Sequence, residues 1–338
     1  MVAAVSAWAS LLLCIVVIGF AGARLSRYGD VIAEKTGLGR NWVGLVLLAT
    51  VTSLPELATG ISAVTVADAP NIALGDVLGS CVFNLGILVV VDFLYREESL
   101  YSRASRGHIL SAGFGIVLIG TVGLALLLAA QGASLALGWV GAYTPLIILM
   151  YFLAMRAVFR FERQEMAEFV EDVVERYPTI TLRQAIVRYG LAAAVVVAAG
   201  IWLPFVGEEV AATMGWHKSF VGTLLIAAAT SAPEVAVTVA AVRMGALDMA
   251  VANLLGSNLF DILIVAIDDI FYTKGPILAQ VSPAHAFSAF SAMVMTGAAI
   301  VGLFYRPSGR LPLGMGWISL FLLALYLLNS FILFRYGA

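Results

Sequence analysis

The chain has 338 residues, of which 62% are hydrophobic and only 12% charged, and its mean hydropathy is +1.00. Soluble domains have roughly 45–50% apolar and about 25% charged residues, so the composition excludes a soluble protein and predicts an integral membrane protein in a lipid bilayer. The net charge of −2 gives no sign of a nucleic-acid partner, and nothing in the sequence calls for an obligatory protein partner.

Ten apolar segments follow one another along the chain, and most are long enough for the roughly 20 residues of a membrane-spanning helix. They lie at 3–22, 41–66, 72–95, 108–130, 134–157, 185–206, 219–242, 247–271, 281–304 and 312–334. We therefore predict an all-α polytopic membrane protein with ten transmembrane helices. The first segment is expected to stay uncleaved, because no basic region precedes it.

The connections between these segments are short except at 159–184. This stretch carries acidic residues at mostly helical spacing: Glu162, Glu165, Glu168, Glu171, Asp172 and Glu175. We predict a solvated connecting helix that divides the chain into two halves, 1–158 and 185–338. A regulatory ion sensor is the alternative for this stretch.

Basic residues are distributed unequally between the two sides of the membrane. Of the 19 Lys and Arg residues, 16 lie in odd-numbered connections, and only Lys218, Lys274 and Arg335 fall on the other side. The positive-inside rule then puts the odd-numbered connections in the cytoplasm and both termini outside. The expected location is a prokaryotic inner membrane.

Cysteine and histidine offer little for a soft-metal or redox site. Cys14 and Cys81 both lie in apolar segments, so neither a disulfide framework nor a thiolate metal site is expected. The three histidines, His108, His217 and His285, lie near the ends of predicted segments and are expected to be interfacial.

A motif in the second segment, 48–56 (LATVTSLPE), recurs in the seventh at 226–234 (IAAATSAPE). Each copy places a glutamate inside an apolar run, where a charged residue costs about 2.5 kcal/mol or more and is a functional candidate. The preceding proline removes a backbone donor and breaks the helix, which leaves backbone oxygens beside the threonine and the glutamate. Such clusters of hard oxygen ligands suit sodium or calcium.

The two copies form an inverted repeat. Glu56 and Glu234 are 178 positions apart and five spans separate their segments, so the second copy runs in the opposite direction. Transporters with this architecture place ion sites near the midplane at broken helices. Helices 2 and 7 are thus expected to be broken, each within a five-helix repeat.

The similarity continues downstream, in 73–84 (ALGDVLGSCVFN) and 250–261 (AVANLLGSNLFD), at an offset of 177. Their polar residues fall four positions apart and share one helical face. Gly79 and Gly256 lie beside them and would let another helix approach closely. The polar positions are Asp76, Ser80 and Asn84 in the first copy, and Asn253, Ser257 and Asp261 in the second.

On these residues the chain resembles the cation/calcium exchanger superfamily, in particular the small prokaryotic sodium/calcium exchangers. The signatures are Thr52-Ser53-Leu54-Pro55-Glu56 and Thr230-Ser231-Ala232-Pro233-Glu234, each followed by the Gly-Ser helix. The resemblance implies a sodium/calcium antiporter, not an enzyme, that works by alternating access as the first and sixth helices slide across the rest. Calcium and sodium would be its transported substrates, and no organic cofactor is implied.

The resemblance also implies a ligand set. Glu56 and Glu234 would bind calcium together, or sodium in exchange, and Asn84 with Asp261 would match the central amide–carboxylate pair. The remaining ligands would be hydroxyl or backbone oxygens of Thr52, Thr230, Ser53, Ser231, Ser80, Ser257, Ala49 and Ala227.

The chain departs from the family pattern at several positions. Asp76 and Cys81 replace the asparagines found at the matching second-repeat positions, Asn253 and Asn258. Asp76, with Asn253 as its counterpart, is a possible additional ligand. Because Asp76 could add a negative charge, the ion stoichiometry and any potassium requirement stay open.

Other functions are weaker matches. A proton/calcium exchanger of the same superfamily typically has a histidine next to its glutamate, which neither copy has, and an exporter of another divalent cation stays open. An intramembrane aspartyl protease would need Gly-x-Gly-Asp, but Ala73 stands at the first glycine. The His-Glu-x-x-His motif of a zinc protease is absent from the sequence, and a channel would usually build its pore by symmetry between subunits.

Overall fold

The computed structural model describes residues 2–36, 50–95, 99–166, 177–307, 309, 311 and 314–337. The helices are α1 Val2–Thr36, α2 Leu54–Thr65, α3 Pro70–Leu94, α4 Leu100–Arg103, α5 His108–Ala130, α6 Tyr143–Met166, α7 Leu182–Met214, α8 Lys218–Val221, α9 Ala227–Thr230, α10 Ala232–Arg243, α11 Leu247–Phe271, α12 His285–Tyr305 and α13 Trp317–Tyr336. A π-helical turn, Gly222–Ile226, joins α8 to α9, and a 3₁₀ turn covers Ile277–Ala279.

Eight of these helices are long and apolar enough to cross a membrane: α1, α3, α5, α6, α7, α11, α12 and α13. Lys218–Thr230 and Ala232–Arg243 make a ninth candidate span, bent by 47°. Large apolar side chains such as Leu12, Phe20 and Phe331 lie exposed on outer helices, where only lipid would suit them. The chain is an all-helical polytopic membrane protein, and the count of ten stays a prediction, since 41–49 of the second segment lie outside the described residues.

Several predicted segment boundaries differ from the helix ends of the structure, and two of them illustrate why. The first helix continues past 22 to Thr36, because arginines at its end do not interrupt backbone hydrogen bonding. The fifth segment does not begin at 134: β1 (Ala136–Leu137) pairs antiparallel with β2 (Val140–Gly141), and the helix starts at Tyr143. Gly138, at φ +69°, supplies the left-handed residue that this tight hairpin requires. Apolarity alone does not distinguish such a hairpin from a helix.

Both motif prolines stand in the first turn of a new helix. Ser53 precedes α2 with φ −87° and ψ 15°, and Ser231 precedes α10 with φ −77° and ψ 10°. Proline is tolerated in a first turn because its missing N–H would have no partner there. The two repeats therefore turn the chain in the same way directly before the glutamate.

Helices α1 and α7 pack along each other and cover the two proline turns, while most of the other helices form a separate, larger core. Glycines make the contact close. A Cβ on Gly22 of α1 would collide with the ring of Pro233, and a Cβ on Gly200 of α7 would lie 2.8 Å from the Cβ of Ala58 and 3.2 Å from the carbonyl oxygen of Pro55. Each covering helix thus lies against the proline turn of the opposite repeat.

Two buried aspartates at equivalent positions of the repeats anchor the ends of α3 and α11. Asp92 accepts hydrogen bonds from the backbone N–H of Leu100 (2.9 Å) and Gly316 (2.8 Å). Asp269 accepts them from the N–H of Ile277 and Gly141, both at 2.7 Å. In each case one donor lies eight residues downstream and the other comes from the far half of the chain. Sequence reasoning did not identify this pair, although its offset of 177 is that of the downstream blocks.

Candidate cation-binding site

The two motif glutamates lie at the centre of the fold. Glu56 stands in the first turn of α2 and Glu234 in the first turn of α10, and each side chain is only 1% exposed. The orphan N–H groups of a helix start favour a carboxylate at this position. The proline turn is what places each glutamate at such a start in the interior of the protein.

Each glutamate accepts a hydrogen bond from the serine of the opposite repeat. Ser53 donates to Oε1 of Glu234 at 3.3 Å, and Ser231 donates to Oε1 of Glu56 at 3.1 Å. The two proline turns therefore meet, and each turn supplies one hydroxyl to the carboxylate of the other.

Serines of the Gly-Ser helices complete the same pattern within each repeat. Ser80 of α3 donates to Oε1 of Glu56 at 3.4 Å, and Ser257 of α11 donates to Oε1 of Glu234 at 3.3 Å. Thr52 lies 3.3 Å from the Ser257 hydroxyl. The result is two related hydrogen-bond clusters, each of which contains residues of both halves of the chain.

Asp76 extends the site toward the second repeat. The hydroxyl of Thr230 donates to Oδ1 of Asp76 at 2.8 Å and also contacts the carbonyl oxygen of Ala227 at 3.2 Å. The equivalent residue, Asn253, instead donates to the hydroxyl of Thr238 within its own repeat at 3.3 Å. The repeats thus differ here in both charge and contact.

A second layer contains Asn84 and Asp261, the predicted amide and carboxylate ligands. Asn84 donates to Oδ1 of Asn258 at 3.0 Å, and Asn258 donates to the carbonyl oxygen of Cys81 at 3.2 Å. The thiol of Cys81 lies 3.9 Å from Oδ2 of Asp261. Sequence reasoning named Asn258 only as the counterpart of Cys81, although its side chain links the two halves at this layer through Asn84 and Cys81.

Several buried oxygens of this region have no hydrogen-bond partner in the described structure. They are Glu56 Oε2, Glu234 Oε2, Asp76 Oδ2, Asn84 Oδ1 and Asp261 Oδ1. Buried polar atoms are normally satisfied, and unpaired buried carboxylates are costly. Within the described residues no ion pair reaches these carboxylates, whereas three ion pairs occur at other positions. A bound cation is the partner whose chemistry fits these oxygens.

The carboxylates would not bind such a cation alone. Across the described ranges no three His, Cys, Asp or Glu side chains converge tightly enough to hold a metal ion. Hydroxyl and backbone oxygens would therefore complete the coordination, as they commonly do for hard cations.

Glycines let α3 approach the π-helical turn Gly222–Ile226 closely at the site. A Cβ on Gly75 would lie 3.0 Å from the Cα of Gly222, and one on Gly79 would overlap the backbone of Thr223. This contact falls on the π-helical turn Gly222–Ile226, and π turns inside helices are frequent at functional sites.

The structure thus brings most of the predicted ligands together and separates a few. Asn253 contacts Thr238 rather than a glutamate, and Ala49 lies outside the described residues. Glu168, Glu171, Asp172 and Glu175 of the predicted connecting helix lie outside them as well. Cys14 and Cys81 are free and buried. His108 and His285 are more buried than expected for interfacial residues, and they contact Asp248 and Asn71 at helix ends.

Comparison with known proteins identifies relatives across almost the whole chain. Residues 6–158 and 185–332 match the family described as sodium/calcium exchanger protein. The sodium/calcium exchanger MaX1 of Methanosarcina acetivorans is 26% identical over 307 residues, which cover 82% of this chain and 85% of MaX1.

Solved structures share the fold. The sodium-calcium exchanger NCX_Mj, soaked with sodium and strontium ions, superposes with a TM-score of 0.61 at 18% identity and covers 96% of this chain and 97% of its own. The H⁺/Ca²⁺ exchanger CAX superposes with a TM-score of 0.70 at 16% identity and covers 97% of this chain and 81% of its own. At these identities the likeness establishes the architecture alone.

Proposed function

The chain belongs to the sodium/calcium exchanger protein family. We propose that it is a sodium/calcium antiporter, which exchanges the two ions across the membrane at a binding site between Glu56 and Glu234. The observation that carries this proposal is the reciprocal arrangement in which each motif serine donates to the glutamate of the opposite repeat. A cation between the two carboxylates would then be held by both halves of the chain at once.

Charge explains why such a site would exchange ions rather than leak them. Moving unpaired carboxylates through a low-dielectric barrier is costly, so an empty site would switch sides slowly. One calcium ion, or several sodium ions on the same oxygens, would neutralise the carboxylates of Glu56 and Glu234 and permit the site to switch sides. Transport would then require a load in both directions, which is antiport.

The surrounding residues support the proposed ligand roles. Thr52, Ser53, Ser80, Ser231 and Ser257 already lie within hydrogen-bond distance of a site residue. They would flank the calcium position and form the sodium sites. The oxygens of Thr230 and Ala227 lie beside Asp76 and would extend the site there.

We further propose that Asp76 binds one monovalent cation of the transport cycle. It is fully buried, one of its oxygens has no partner in the part of the chain that the structure describes, and Thr230 of the second motif donates to it. With Asp76 the site holds four carboxylates, the others being Glu56, Glu234 and Asp261, and one calcium ion neutralises only two of them when all are ionised. Sodium is the first candidate for the added ion, and potassium is the second.

Sodium is the proposed coupling ion because Asn84 and Asp261 fit the sodium-coupled pattern and the two histidines with defined contacts bind elsewhere. The test is reconstitution in liposomes and uptake of ⁴⁵Ca²⁺ under imposed sodium, potassium or proton gradients. We expect that sodium loaded inside the liposomes drives ⁴⁵Ca²⁺ uptake as it flows out down its gradient. Uptake that follows a proton gradient without sodium would contradict sodium coupling and favour a proton exchanger.

The proposed orientation has odd-numbered connections in the cytoplasm and both termini outside, in a prokaryotic inner membrane. Leu135 follows the fourth segment, in an even-numbered connection, and is 78% exposed. Met244 follows the seventh segment, in an odd-numbered connection, and is 64% exposed. In intact cells an impermeant thiol reagent should modify Leu135→Cys and spare Met244→Cys, while the native cysteines are buried. The reverse pattern would invert the orientation without affecting the repeat.

A further inference from the structure

Asp268 is a buried carboxylate to which the proposed exchange assigns no role. It lies on α11, its side chain is 1% exposed, and its Oδ1 has no hydrogen-bond partner among the described residues. Its neighbour Asp269 differs, because backbone and hydroxyl donors occupy both oxygens of that residue. Asp269 therefore has a structural explanation, and Asp268 does not.

The carboxylate of Asp268 faces the backbone of α2 at Gly60. A Cβ on Gly60 would lie 2.5 Å from Oδ2 and 2.6 Å from Oδ1 of Asp268. Gly60 stands one helical turn beyond Glu56, and the adjacent Thr59 has a buried hydroxyl that is likewise without a partner. The missing side chain at Gly60 is what leaves room for the carboxylate.

Oxygens without a described partner occur on the same two helices at this position and in the central site. On α2 the step from Glu56 to Gly60 is about 6 Å, and on α11 the step from Asp261 to Asp268 is about 10 Å, at 1.5 Å per residue. Glu56, Asp261 and Asp268 each carry a buried carboxylate oxygen to which no described residue donates. They form a series that leads from the centre toward the ends of α2 and α11, where Asp68 pairs with Lys274.

We propose that Asp268 is a second cation-binding position, on the path between the central site and the extracytoplasmic face, and that it binds calcium before or after the Glu56–Glu234 site. The proposal rests on the exchange function and the orientation proposed above. At the matching position of the first repeat stands Val91, which is buried and apolar. The cytoplasmic path therefore lacks this carboxylate, and the effect of Asp268 should be confined to one side of the membrane.

The test compares Asp268→Asn with wild type in right-side-out and inverted membrane vesicles. Each preparation is loaded with sodium and ⁴⁵Ca²⁺ uptake is titrated with calcium. The half-saturating calcium concentration should rise about fivefold in right-side-out vesicles, as for loss of one partly screened charge contact, and stay within about twofold in inverted vesicles.

Asp68→Asn is the matched control. It removes an exposed carboxylate at the same end of the protein, and asparagine tolerates the left-handed backbone at this position, φ 51°. It should leave calcium affinity unchanged on both sides.

Equal calcium affinities for Asp268→Asn and wild type would overturn the proposal. Asparagine has the shape and charge of a protonated aspartic acid, so that result would mean that Asp268 stays neutral and binds no cation. An equal loss on both sides, or a loss only in inverted vesicles, would also overturn it. If Asp268→Asn does not insert, Gly60→Ala decides, because the added methyl group displaces the carboxylate while keeping its charge and should give the same one-sided loss. Absence of wild-type exchange in either preparation would instead refute the proposed function.

Discussion

The first and second repeats are alike where they build the scaffold and unlike where they set the charge of the site. The glutamates, their serine donors, the glycines of α1 and α7 and the aspartates Asp92 and Asp269 all recur with matching contacts. Asp76 and Asn253 differ in charge, as do Val91 and Asp268, and Asn84 and Asp261. The two repeats thus share the geometry of the scaffold, while single substitutions within it distinguish one repeat from the other.

The largest effect should come from the shared glutamates. Glu56→Gln and Glu234→Gln should each abolish calcium transport, because each removes a charged ligand from a desolvated site, a loss of about 3–5 kcal/mol on the scale of broken buried charge pairs. ⁴⁵Ca²⁺ uptake in liposomes measures it, and thermal unfolding in detergent should show that both variants fold. Near-normal flux in one variant alone would mean that the repeats do not share the ion.

The second-largest effect should come from substitution of the anchoring aspartates, Asp92 and Asp269, and it should be a loss of stability. Asp92→Ala and Asp269→Ala should each destabilise the protein by several kcal/mol, since each strands at least two buried backbone donors at about 1–3 kcal/mol apiece. Thermal melting of the purified variants checks this, with the exposed Asp68→Ala as control. Unchanged melting of either anchor variant would show that the symmetric contacts are dispensable.

Asp76→Asn makes the first repeat resemble the second and should alter stoichiometry rather than abolish transport. Removing this carboxylate should reduce the monovalent cations moved per calcium by about one, because the site then has one charge fewer to neutralise. The reversal potential of calcium flux in voltage-clamped liposomes reports the change. Asn253→Ala, whose contact is with Thr238, should leave that potential as it was. An unchanged potential in Asp76→Asn would exclude Asp76 from ion coupling.

The smallest effects should come from the Gly-Ser helices. Ser80→Ala and Ser257→Ala each remove one hydrogen bond to a carboxylate. These bonds are long, at 3.4 and 3.3 Å, so each should contribute about 1.5 kcal/mol, the low end for a charged acceptor, and ion affinity should fall about tenfold in each. Titration of sodium- and calcium-dependent flux measures the two losses side by side. Clearly unequal losses would show that the two glutamates bind different ions.

Much of the fold and of the candidate site followed from the sequence. Apolar length predicted the membrane class, and the two motifs with their reversed direction placed Glu56 and Glu234 in related positions. These features are local or periodic, so they can be recognised in the sequence without the three-dimensional structure. Gly138 and the hairpin at 136–141 were missed because an apolar turn has no distinctive periodicity.

Only the tertiary structure decided which residues of one repeat contact the other. Ser53 reaches Glu234, Thr230 reaches Asp76, and Asp268 faces Gly60, and none of these pairs is close in the chain. A sequence specifies which face of a helix is polar, but the crossing and depth of packed helices decide which polar faces meet. That is why the candidate ligands could be named from the chain, whereas the residues they contact could not.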